Sequence, residues 1–176
     1  MSAPSPVGTL LPSRRLRHSQ PAIAALTTVY VALLGPVVGL IWAALAPKVS
    51  IPAIAAGANA AFHAQVGADV WFLIVGGIAG VLTAVAAIAV VREAGPGLAV
   101  GLAFGGSLAA VIADRVGFLT EQHATTTALR ALGAAPDGST ISEIDFRVRA
   151  LGVLTAWPLA SLVVLGIVIA VGAARR

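Results

Sequence analysis

The 176-residue chain is 59% hydrophobic and only 10% charged, with a mean hydropathy of +0.98. That balance excludes an ordinary soluble domain and places the chain among integral-membrane proteins. The net charge is +4 and there is no cysteine, which removes disulfide frameworks and cysteine-based metal or redox sites; the basic residues sit at the ends of apolar runs, as topology signals do, and not on a nucleic-acid-binding surface.

In chain order, residues 1–20 hold Pro4, Pro6 and Pro12 among serines, show no apolar periodicity, and read as a disordered cytoplasmic tail. The membrane domain, 21–176, opens with an apolar run over 22–46 behind the cluster Arg14, Arg15 and Arg17. This run is too long for the core of a signal peptide, and Pro47 directly after Ala46 disfavours cleavage, so it is read as an uncleaved first span. Gly35-Pro36 in its middle predicts a kink, because proline has no N–H to give the helix and its ring pushes on the preceding turn. Gly35, Gly39 and Ala43 form a small-residue stripe, and Trp42 stands near the far end. The outer loop 47–67 fits either a hairpin about Gly57-Ala58-Asn59 or an alanine-rich interfacial helix.

The second span, 68–91, carries Gly76, Gly80 and Ala84 at four-residue spacing and Trp71 in its first turn. Glu93 to Gly97 is a tight reversing turn. The third span, 98–119, bears the longest small-residue stripe: Gly97, Gly101, Gly105, Ala109, Ala113 and Gly117 recur every fourth position and share one helix face. Such a stripe admits another helix backbone closely, which is the main source of helix adhesion in lipid. Packing within the bundle is the first reading, a homo-oligomer interface the second. The second outer loop, 120–152, predicts a short helix from Thr120 to Leu132, with Thr120 as N-cap and Gly133 as terminator, and a turn at Pro136 to Ser139. Ile144, Phe146, Val148 and Ala150 then alternate with charged residues as a half-buried strand would. The fold class is therefore all-α and integral to the membrane, with four spans and a small extracytoplasmic cap of helix and strand. The fourth span, 153–173, has Trp157-Pro158 in its first turns and ends at Arg175-Arg176.

With both termini cytoplasmic, the inner side holds Arg14, Arg15, Arg17, Arg92, Arg175 and Arg176 against Glu93 alone, which favours that orientation. Trp42, Trp71 and Trp157 then all fall at the outer end and read as interfacial aromatics or a cluster capping the bundle. The ionisable residues nearest lipid are Asp69, Asp114 and Arg115. Arg115 lies eighteen residues from Gly97, about 27 Å along a helix and thus at the far edge of a ~30 Å hydrocarbon core. Asp69 begins the second span at the same edge, so Asp69 and Arg115 are expected to form an ion pair tying two antiparallel spans, with Asp114 facing loop or headgroups.

His18, His63 and His123 are widely separated, and neither zinc-binding nor nucleophile motifs occur, so the sequence offers no catalytic, cofactor or metal site and no sign of an enzyme. Four short motifs follow one another along the chain: W-x-x-L-A-P at Trp42 to Pro47, G-x-D-x-x-F at Gly67 to Phe72, A-x-R-x-G at Ala113 to Gly117 and A-W-P at Ala156 to Pro158. In that order they resemble an uncharacterised family of small actinobacterial four-span membrane proteins, known as a domain of unknown function. The resemblance covers most of residues 36–170, implies the four-span layout, and makes Asp69 and Arg115 motif positions. The expected role is a structural or accessory component of the cell envelope that contacts the lipid bilayer and a membrane-protein partner or a second copy. The alternative is a small transporter or ion conduit using the outer Asp/Arg cluster.

Overall fold

A computed structural model of the chain describes residues 19–46, 58–91, 95–131, 148 and 151–175. Five α-helices account for nearly all of them: α1 (Ser19–Leu33), α2 (Gly35–Leu45), α3 (Ala58–Val90), α4 (Pro96–Ala131) and α5 (Ala156–Ala174), the last entered through a 3₁₀ turn at Leu151–Thr155. Apolar side chains surround these helices on every side, and a helix satisfies its own backbone groups, which lipid would not. Four helical stretches are long and apolar enough to cross a membrane: Gln20–Leu45, Val66–Val90, Pro96–His123 and Gly152–Ala174. We read the chain as a multi-pass membrane protein.

The kink expected at Gly35-Pro36 is a break between α1 and α2. Leu34 keeps a right-handed helical backbone, φ −80° and ψ −16°, but its N–H bonds the Val31 carbonyl at 3.1 Å, one residue short of the α-helical partner. Regular bonding resumes with Val38 N–H to the Leu34 carbonyl at 3.1 Å. Pro36, which has no N–H to donate, sits in the first turn of α2, where that loss costs least.

The packing order differs from the chain order. α4 is the central helix, lying against α1 and α2 on one side and α5 on another; α3 packs chiefly on α5 and touches α4 little, although only residues 91–95 separate them in the chain. Half of the most apolar stretch of α4 is buried, against a third or less in the other spans.

Of the two forms open to the first outer loop the helical one is seen, and the second loop departs from expectation in part. The alanine-rich stretch from Ala58 onward is helical and continuous with the second span, so helix replaces hairpin there, while residues 47–57 lie outside the described residues. The helix expected to start at Thr120 is the uninterrupted end of α4. Thr120 is no N-cap, because its hydroxyl donates to the Val116 carbonyl four residues back at 2.8 Å. Gly133, the turn at 136–139 and most of the alternating stretch 144–150 lie outside the described residues, and Val148 has no regular secondary structure. No strand occurs among the described residues, so the strand part of the expected cap has no support there.

Candidate functional site

The stripe on α4 is filled, position by position, by the first span. A side chain at Gly97 would strike the backbone and side chain of Gln20; at Gly101 it would meet Thr27 Cβ at 2.6 Å and the Ala24 carbonyl at 2.9 Å; at Gly105 it would meet Thr28 and Val31 at 3.0 Å. Beyond the break the relation reverses, and Gly35 and Gly39 receive α4: a Cβ there would lie 2.8 Å from the Ala109 carbonyl and 2.5 Å from that of Ala113. Gly117 ends the seam beneath the Trp42 ring. Two parallel helices thus meet backbone to backbone over their whole apolar length, and the Gly97 N–H donates to Gln20 Oε1 at 3.0 Å at one end.

A second seam joins α3 to α5. A Cβ on Gly80 would lie 2.5 Å from the Trp157 carbonyl and 2.9 Å from Ala160 Cβ, and one on Gly106 of α4 would lie 3.1 Å from Pro158. Here the contact is also polar. Ser161, fully buried, donates to the Gly80 carbonyl at 3.0 Å or to that of Trp157 at the same distance, and Trp157 Nε1 donates to Thr83 Oγ1 at 3.2 Å. These hydroxyls, overlooked in the sequence because Ser and Thr are common in apolar helices, occupy the middle of the bundle.

The tryptophans do not form one outer belt. Trp157 is 1% exposed and lies beside Gly76 and Gly80, on either side of the centre of the second span, so it sits at mid-depth. The reason is that the 3₁₀ turn at Leu151–Thr155 takes up the outer part of the fourth crossing. Trp42 is at the outer end but wholly buried, donating from Nε1 to the Ala68 carbonyl at 3.0 Å and meeting Phe72 edge-on, with ring centroids 5.1 Å apart. Only Trp71, 37% exposed, has the surface that an interfacial ring needs.

The charged residues are distributed differently from expectation too. Arg115 is exposed, while Asp69 is half-buried with a buried Oδ1 that accepts no hydrogen bond among the described residues, and no ion pair joins them there. The pairing assumed that consecutive spans pack face to face, whereas α3 turns toward α5 and α4 toward the first span. Asp114, expected to face loop or headgroups, does face the loop: it is buried and accepts the Val148 N–H on Oδ1 at 3.2 Å, which fastens that residue to α4. Glu121, about two turns further, is also buried. No group of three or more metal-ligating side chains is present among the described residues.

No family model, curated protein or solved structure matches the chain.

Proposed function

We propose that the chain is a structural or accessory component of the cell envelope, set in the cell membrane with both termini in the cytoplasm and acting through protein–protein contacts. The observation that carries this reading is the length of α3 and α4. α3 begins eleven residues before Asp69 and α4 ends sixteen residues after Arg115, so two helices project about 16 and 24 Å past the edge of the hydrocarbon layer on the side away from the termini. Their exposed polar positions, among them His63, Thr120, His123 and Thr127, give a partner a surface outside the lipid. The resemblance to actinobacterial four-span proteins agrees with this layout and adds no activity.

A small transporter or ion conduit is the second reading, and the buried Asp69 Oδ1, without a hydrogen bond among the described residues, is the observation in its favour. The filled middle of the bundle weighs against it: backbone-to-backbone contact between α4 and the first span, and the Trp157, Ser161 and Thr83 hydrogen bonds between α3 and α5, occupy the depth at which a path would have to run. Chemical cross-linking in native membranes followed by purification separates the two. A partner recovered at fixed stoichiometry, and lost on Thr120→Arg with Thr127→Arg, supports the accessory role; a lone protein that carries a proton-dependent flux in liposomes refutes it.

A further inference from the structure

From the position of Tyr30 we infer that the lipid-facing ridge of the first span is a parallel homodimer interface, with a second copy of this chain as its occupant. Tyr30 is the chain's single tyrosine and lies ten residues from Gln20, about 15 Å along the helix and level with Gly105, at the middle of a ~30 Å hydrocarbon layer. It is 53% exposed, and its hydroxyl makes no hydrogen bond among the described residues. Serine and threonine at similar depths bond back to carbonyls of their own helix or a neighbour: Ser107 to Ala103 at 2.9 Å and Thr83 to Ala79 at 2.8 Å. A phenol cannot do so, because its rigid ring holds the oxygen away from its own backbone. Neither headgroup layer is within its reach. A hydroxyl left in hydrocarbon without a partner is costly, so the group calls for an acceptor at that depth.

The surroundings of Tyr30 specify which partner. Leu26, Tyr30, Leu33, Val37 and Leu40 follow one another at steps of four, three, four and three residues, the spacing of a heptad seam, and each is between 51% and 72% exposed. Leu34 is helical through the break, so the ridge continues from α1 into α2. Two copies inserted in the same direction meet in parallel about a two-fold axis along the membrane normal, which sets residues of equal depth against each other. Tyr30 then faces Tyr30 of the second copy, and a phenol is both donor and acceptor, so the pair satisfies itself as a single polar residue does in a coiled-coil seam. Five large side chains at these exposures offer on the order of 500 Å² per copy, which reaches the ~1,000 Å² total that a specific interface has to clear. The stripe from Gly97 to Gly117 is not available for this purpose, because the first span already fills it.

This inference rests on the contact-making role proposed above and names one of its partners. The natural chain has no cysteine, so single substitutions report proximity cleanly. Leu33→Cys and, as a control on another lipid-facing helix, Val163→Cys are oxidised in native membranes with a membrane-permeant catalyst. We expect a disulfide-linked dimer with Leu33→Cys and none with Val163→Cys, and a threefold to tenfold weaker self-association when Tyr30→Phe is added, measured by dilution into lipid. Monomer only from correctly inserted Leu33→Cys protein overturns the inference, as does equal cross-linking at both positions or no change with Tyr30→Phe. If a different protein is still recovered at fixed stoichiometry, the accessory role survives that failure; if no partner of any kind is recovered, both fall.

Discussion

At the scale of single residues, the glycines divide into those that touch a neighbouring helix and those that do not, and the division predicts unequal consequences for one kind of substitution. A side chain at Gly39 would enter the space of the Ala113 backbone, which has no rotamer to yield, whereas nothing lies within 4 Å of the position a Cβ would take at Gly166 or Gly172. Gly39→Val should therefore destabilise the fold by about 1–3 kcal/mol, and Gly166→Ala should leave it unchanged, as read by unfolding in mixed micelles with increasing denaturing detergent. Asp69 and Arg115 give a second contrast. With no contact between them, Asp69→Asn and Arg115→Gln should be additive to within ~0.5 kcal/mol; a larger coupling in the double-mutant cycle would restore the ion pair. The glycine stripe was legible in the sequence because its four-residue period has one geometric meaning on a helix. The tryptophans were not, because an indole suits a headgroup layer and a buried hydrogen bond equally well, and only tertiary packing distinguishes Trp71 from Trp42 and Trp157.

At the scale of elements, the described fourth crossing is α-helical only from Ala156 onward; before it comes the 3₁₀ turn, and Val148 is held by Asp114. Asp114→Ala removes the acceptor of a buried N–H and should loosen that junction by about 1–3 kcal/mol, visible as faster hydrogen exchange at residues 148–155 with the remaining helices unaffected. Asp114→Asn keeps an acceptor oxygen and should preserve protection; equal loss in both variants would show that charge, not hydrogen bonding, fastens the segment. The Ser161 bond to Gly80 is a further link between elements, and Ser161→Ala should cost about 0.6 kcal/mol, the mean for such bonds between membrane helices. Span limits were readable from hydropathy alone, since length and apolar content are what a bilayer demands. The outward extensions of α3 and α4 were readable only in part, 120–132 as a separate helix and 47–67 as helix or hairpin, because Ala- and Thr-rich stretches suit helix and loop alike. The pairing of the spans was not readable, because lipid-exposed and buried faces are both apolar and period alone does not tell them apart.

For the whole molecule, the membrane side on which each end lies decides what the projecting helices can reach. α1 and α4 run in parallel, as do α3 and α5, so Gln20, Gly97, Val90 and Ala174 share one end, and the extensions of α3 and α4 share the other. By sequence, six of the eleven basic residues lie toward the termini end and five toward the other, and the proposed cytoplasmic placement of the termini rests on that Lys/Arg bias. The prediction concerns labelling in intact cells by a membrane-impermeant maleimide. Ser139→Cys, in the connection between α4 and the fourth crossing, should react, and Ser2→Cys should react only after the cells are opened. The reverse pattern would turn the bundle over and leave its packing unchanged, but it would move the two extensions to the cytoplasmic side and with them the surface proposed for envelope partners. The Tyr30 ridge would be unaffected, because two copies sharing either orientation still meet in parallel at the same depth. Labelling therefore tests the envelope role alone, whereas cross-linking at Leu33 tests the pairing of copies in either orientation.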